Sequence, residues 1–387
     1  MKIIIGSESF PPNISGVATA ASLLAKNLSK SGHEVYVFAP SRTFFHYREK
    51  HEDGYTVIRF RSIPNPFRRG FRVSFLPKRE ATYWINKINP ELIHLQDPTA
   101  ICSSLLKSAK KQSIPVVATN HFNLDYVTSY LGWLSPLHRQ VKFTLRQYLA
   151  NFYNQCDYVV CPTVTVKKEL SRWGVKRPIV AISNGLDLER FYTHYNTSET
   201  LLKYHLPRNK KVLYVGRIDK DKKIDVLVRA IPHVLAKINV HFVFVGSGGE
   251  LLKMKKLSRT LGIDHAVSWV GWVDNKSEDF LQLYQSASVF AIPSTIETQS
   301  IVTMEAMASG LPVVGPRSGA IPELIKDGEN GFLFIPNDSL DLALKIVTIL
   351  RDKELEDAMG SKSLFYITAH RVSASLSKIV KVYDAIV

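Results

Sequence analysis

At 387 residues with 45% hydrophobic content, the chain is long enough for two or three domains with substantial cores. Its three cysteines, Cys102, Cys156 and Cys161, make neither a disulfide framework nor a metal cluster, and no HxxxH or CxxC spacing offers a zinc site. The formal charge of +16 is concentrated in one half, since residues 1–183 hold 25 Lys and Arg against 11 Asp and Glu while the remainder holds 25 against 23.

The opening MKIIIG is a short apolar strand followed by polar residues, unlike a secretory leader, and no run approaches the ~18 apolar residues of a membrane span. A cytoplasmic chain with reduced cysteines is expected. After that strand, ESFPPNISGVAT places Gly16 at the start of an amphipathic helix, where the missing Cβ lets backbone approach a diphosphate. The spacing is not GxGxxG, so it carries no dinucleotide signature. HEVYVFAP reads as the next strand.

Residues 59–79, RFRSIPNPFRRGFRVSFLPKR, hold seven basic residues and no acidic ones, with Phe60, Phe67, Phe71 and Phe75 interleaved. Arg68, Arg69, Phe71, Arg72, Phe75, Lys78 and Arg79 would suit an anionic membrane surface and its lipid, where each charge contributes on the order of 1 kcal/mol. Nucleic acid is the other polyanion such a stretch could meet. ELIHLQDP and PVVATNHF look like further buried strands, carrying His94 and, at a strand end, His121. From Phe122 onward, through WLSPLHRQVKFTLRQYLANFY, an aromatic and basic segment could line an acceptor groove, lie on lipid or pack as ordinary helix.

The turn-forming run SNGLD, Ser183 to Asp187, marks a hinge, after which the pattern restarts: KVLYVGRI, DVLVRAIPHVLAKI and VHFVFVGSGG repeat strand, helix and strand, followed by SWVGWV. Such alternation predicts an α/β chain with parallel sheets and right-handed crossovers, hence two Rossmann-like domains over 1–183 and 187–370. The richest window is residues 290–315, FAIPSTIETQSIVTMEAMASGLPVVG: a strand, a loop with Glu297, a helix with Glu305 that stops at Gly310 and Pro312, and another strand. Both carboxylates can reach the carboxyl end of the sheet, where open α/β folds bind ligands. The amides near Ser300, Ile301 and Val302 suit a phosphate. Carboxylates beside an anion site imply hydroxyl donors, and a sugar supplies them.

E-x7-E before A-x-G-x-P-V-V resembles the donor site of retaining glycosyltransferases of family 4, with the GT-B fold of two Rossmann-like domains facing a central cleft. The resemblance covers nearly the whole chain. It implies that Glu297 holds the donor sugar, that Glu305 holds the ribose, and that an equivalent of Gly16 meets the donor phosphates. VGRIDKDKK is similar to the family's G-R-x4-K motif, so Gly216, Arg217 and Lys222 are expected at the leaving diphosphate, two cations taking the part a divalent metal plays elsewhere. No metal and no cofactor are therefore expected. His121 resembles a family histidine that contacts the transferring sugar. A final helix over roughly 371–387 is expected to cross back to the first domain.

Two departures stand out. Thr298 and Gln299 follow the first glutamate where many members have Phe-Gly, and Lys223 replaces a frequent glycine. The first variant and the basic, phenylalanine-rich stretch resemble bacterial glycolipid synthases that glucosylate diacylglycerol. The implied reaction is transfer of a hexose from a nucleoside diphosphate sugar, UDP-glucose first, to a membrane lipid, by an enzyme peripheral on the inner face of the cell membrane. A mannosyltransferase acting on phosphatidylinositol or a polysaccharide precursor, a nucleic-acid binder without recognised motif, and a GT-B epimerase or phosphorylase are the other readings.

Overall fold

The structure, a computed structural model, describes residues 1–13, 15–65, 72–124 and 138–387. Its described residues form two compact units, one of 1–124, 138–185 and 372–387 and the other of 186–371.

The first unit runs β1 (Lys2–Gly6), α1 (Gly16–Lys30), β2 (Glu34–Pro40), β3 (Tyr47–Lys50), β4 (Thr56–Phe60), β5 (Ser62–Pro64), β6 (Arg72–Ser74), α2 (Lys78–Ile88), β7 (Leu92–Leu95), α3 (Ala100–Lys111), β8 (Val116–Thr119), α4 (His138–Tyr153), β9 (Tyr158–Cys161), α5 (Val164–Arg172) and β10 (Ile179–Ala181). Eight strands make one sheet in the order β10-β9-β8-β7-β1-β2-β4-β3, all parallel except β3, while β5 and β6 form a small antiparallel pair. Ile3, Ile4 and Ile5 are all fully buried, because side chains alternate between two covered faces. Ile4 packs with Phe38, Ile58 and Leu105 on one face; Ile3 and Ile5 pack with Ala21, Ala25 and Leu28 of α1 on the other. The C-terminal helix, Val372–Asp384, belongs to this second face through Val382 and Tyr383.

The second unit runs α6 (Ser198–Lys203), β11 (Lys211–Val215), α7 (Ile224–Leu235), β12 (His241–Val245), α8 (Leu251–Thr260), β13 (Val267–Gly271), α9 (Glu278–Gln285), β14 (Val289–Ala291), α10 (Ile301–Ala308), β15 (Val313–Pro316), α11 (Ile321–Leu324), β16 (Gly331–Phe334), α12 (Ser339–Arg351) and α13 (Lys353–Ile367). Its six strands are all parallel, in the order β13-β12-β11-β14-β15-β16. Tyr214 and Phe244 face a core with α7 and α12, and Leu213 and Val243 face one with α9 and α10. Sequence order reverses at β11, whose neighbours are β12 and β14, so the loops after β11 and β14 leave the sheet side by side; such a switch point is where open α/β sheets take ligands. No helix among the described residues is long and apolar enough to cross a membrane.

Candidate active site

In the second unit the loop after β11 is shaped by glycine. Gly216 has φ +147° and Gly246, at the end of the neighbouring β12, has φ +137°. A Cβ on Gly246 would overlap the carbonyl oxygen of Gly216, so these strand ends approach closely only without side chains. The turn that follows presents Arg217 and Lys222. Arg217 is clasped by its own loop, with Nη1 on Asp219 and Nη2 on Asp221 at 2.9 Å. Asp219 also accepts from the Gly249 amide at 2.8 Å, tying the glycine-rich loop after β12 to this guanidinium. Lys222 reaches across to the loop after β14, where Nζ donates to Glu297 Oε1 at 2.7 Å. The two side chains are 18% and 11% exposed, so each charge is held largely by the other. Lys223, at the position that departs from the glycine pattern, keeps a left-handed conformation with φ +53°.

The Glu297 loop is itself clamped by the turn after β15: Ala320 N donates to Glu297 O at 3.2 Å and Ser318 Oγ to Thr295 O at 3.1 Å. Ser300 caps α10, its Oγ accepting from Thr303 N at 3.4 Å. Ile301 and Val302 then supply first-turn amides with no acceptor inside the helix, as an anion site requires. Glu305 lies one turn on, buried at 8% exposure, with Oε2 accepting from the Tyr284 hydroxyl at 2.9 Å. Burial pushes its carboxyl up to about 7, against the opposing pull of Tyr284 and of Arg190.

In the first unit, Gly16 opens α1 behind the cap Ser15, whose Oγ accepts from Ala18 N at 3.1 Å. His121 follows β8, and its Nε2 donates to Gln96 Oε1, 3.0 Å away at the end of β7. Burial lowers its pKa to about 4, so at neutral pH the ring is uncharged. His94 is fully buried, with Nδ1 2.6 Å from the Tyr383 hydroxyl and Nε2 2.6 Å from the Thr119 hydroxyl. It thus joins the C-terminal helix to the sheet. A carboxylate that sequence reading passed over, Glu8, accepts from the Ser74 amide at 2.5 Å and the Ile101 amide at 3.2 Å, anchoring β6 beside α3.

Of the basic stretch, Phe67, Arg68, Arg69 and Phe71 lie outside the described residues. Phe75 is 45% exposed, and Lys78 and Arg79 are exposed on α2. Arg72, grouped with them from sequence, instead turns back on its own hairpin, Nε donating to Ser62 Oγ and Nη2 to Ser62 O, both at 2.7 Å. Phe44 and Phe45, in the loop after β2, are 49% and 74% exposed, and the Phe44 ring lies 6.3 Å from that of Phe75. Leu76, next in sequence to Phe75, is 76% exposed. His51, Glu52 and Asp53 gather ligand atoms within 4.8 Å, with Glu52 exposed and Asp53 also paired with Lys26 at 3.5 Å.

Residues 14–190 match the family described as Glycosyltransferase Family 4, and residues 203–363 match Glycosyl transferases group 1. Over 352 residues the chain is 30% identical to alpha-monoglucosyldiacylglycerol synthase of Acholeplasma laidlawii, an alignment spanning 88% of this chain and 86% of that protein. The chain belongs to glycosyltransferase family 4. Sucrose-phosphate synthase from Thermosynechococcus elongatus superposes with a TM-score of 0.81 at 21% identity, covering 100% of this chain and 99% of that one. Anabaena HepE, solved in complex with UDP and glucose, superposes at 0.79 with 20% identity over 100% of both chains. At these identities the likeness establishes the GT-B fold of the glycosyltransferase. The residues that motif reading missed, Tyr284, Asp219, Asp221 and Glu8, all act by holding a motif residue or a loop. Such partners come from elsewhere in the fold and leave no local signature.

Proposed function

We propose that this glycosyltransferase moves glucose from UDP-glucose to diacylglycerol at an anionic membrane surface, with retention at the anomeric carbon and without a metal or other cofactor. The observation that carries the reading is the Lys222–Glu297 contact at the switch point of the second sheet, with Arg217 on the same loop and Glu305 and the α10 amides on the next. Lys222 and Arg217 would take the diphosphate, whose charge grows as the glycosidic bond breaks. Glu297, released from Lys222, would hold sugar hydroxyls; the first-turn amides of Ile301 and Val302 would take phosphate oxygens; Glu305 would hold the ribose. His121, neutral at physiological pH, is the first-unit residue that the family resemblance assigns to the sugar. The departing phosphate oxygen would accept the acceptor's proton on the face it leaves from, so no protein nucleophile is needed, and the positioning of reacting groups supplies the rate.

The acceptor reading draws on the relative that makes monoglucosyldiacylglycerol. It draws also on the exposed Phe44, Phe45, Phe75 and Leu76 with Lys78 and Arg79, which suit a peripheral position on the inner leaflet. The test is a screen of labelled nucleotide sugars with diacylglycerol in anionic and neutral vesicles, with and without EDTA, and NMR of the product's anomeric centre. An α-glucosyl lipid formed in EDTA is expected. Use of another donor, a β product, or loss of activity restored by magnesium or manganese would overturn the corresponding part.

A further inference from the structure

We propose that Tyr284 is a positioning residue for the nucleotide, holding one oxygen of the Glu305 carboxylate so that the other is presented to the ribose; this rests on the ribose role given to Glu305 above. Tyr284 is fully buried on α9, and its hydroxyl lies 2.9 Å from Glu305 Oε2 and 3.3 Å from Val302 O. It has one proton, and the shorter contact to the charged acceptor takes it. The ring is locked between Phe280 and Phe290, at centroid distances of 5.2 and 6.0 Å, so the hydroxyl has little freedom to turn away.

Glu305 needs such a partner. Among the described residues no Lys, Arg or His lies within ion-pair distance of it. Burial raises its pKa to about 7, and the groups that work against burial are Tyr284 and, more weakly, Arg190. Arg190 lies in the turn Leu188–Phe191, which packs on α10, and donates its own hydrogen bond to Asn275 O at 2.7 Å. Of the other elements on α10, β15 carries no titratable group and the ionisable residues of α13 do not enter this balance. An ionised carboxylate accepts from ribose hydroxyls more strongly than a protonated carboxyl does, so nucleotide affinity should fall as pH drops through 7. Removing the Tyr284 hydroxyl should move that midpoint upward by about one pH unit or more, the worth of one hydrogen bond to a charged group.

The experiment measures the Kd of uridine diphosphate from pH 6 to 9 for the full chain, Tyr284→Phe, Glu305→Gln and the double variant, with melting curves to confirm folding. Relative to wild type, Tyr284→Phe should bind about fivefold more weakly at pH 7 and nearly equally at pH 9, the fivefold being what a one-unit shift from 7 leaves ionised. The diphosphate's own titration cancels in that ratio. In the Glu305→Gln background the same change should cost nothing further. Uniform weakening at every pH, or a full additional loss in that background, would reduce Tyr284 to packing and overturn the proposal. If Glu305→Gln binds like wild type, the ribose assignment itself falls. Should Tyr284→Phe not fold, 3-fluorotyrosine at position 284, a stronger donor in the same shape, should lower the midpoint; an unmoved midpoint overturns the proposal.

Discussion

Acid should unlatch the first unit at His94. The imidazole is fully buried between the hydroxyls of Tyr383 and Thr119, each 2.6 Å away. Burial, with a smaller push from His121, lowers its pKa from 6.5 to about 3. Between those values the unfolded chain takes up a proton that the native one refuses. His94 therefore leaves stability intact above about pH 6.5 and removes it as pH falls. At pH 4.5 the unfolded ring is about two units below its pKa, which at 1.36 kcal/mol per unit is a loss of about 3 kcal/mol. Both hydroxyls could turn to accept from an imidazolium, but neither carries charge, so the cation would stay uncompensated. His94→Gln keeps a donor and an acceptor and does not titrate. Urea unfolding at pH 7.0 and 4.5, followed through the transition of the first unit, should show wild type losing about 3 kcal/mol more than the variant. Equal losses, or an NMR titration of His94 near 6, would refute the reasoning.

Lys222→Met and Glu297→Gln should each lower turnover roughly 10²-fold, and the double variant should fall well short of the product, because each group is the other's partner. Losses that simply multiply would show that the two act independently. Gly246→Ala should cost the second unit about 2–4 kcal/mol, through the overlap with the Gly216 carbonyl and a φ of +137° closed to side chains; an unchanged melting temperature would refute it. Lys223→Gly should raise stability by up to about 1 kcal/mol by relieving the left-handed lysine at φ +53°, which thermal melts can check. Phe44→Ser with Phe45→Ser should reduce co-flotation with anionic vesicles while leaving uridine diphosphate binding and melting temperature in place, since both rings are exposed. Unaltered flotation would remove them from the membrane surface.

The parallel sheets were readable because strands covered on both faces are written as unbroken apolar runs: IIIG, VYVFAP, VLYV and FVFV all became central strands. The antiparallel additions were not. β3 is YREK, an edge strand whose residues alternate between half-buried and exposed, and β5 and β6 are three residues each, too short for a period-2 pattern to emerge. At the candidate site the motif residues could be picked out singly, but not what they touch. Lys222 and Glu297 are 75 residues apart, Tyr284 and Glu305 21, and His94 and Tyr383 289, so only the fold brings each pair together. Distance in sequence also hid a consequence of the first pair. Read separately, Lys222 is a cation for a diphosphate and Glu297 an acceptor for sugar hydroxyls. Bonded to each other and less than a fifth exposed, they neutralise one charge with another where neither could stand alone. A donor entering this site would have to exchange its own contacts for theirs, so part of its binding free energy would go into parting the pair. That part would be recovered where it counts for rate, once Lys222 faces a leaving group gathering negative charge and Glu297 holds the sugar that is leaving it.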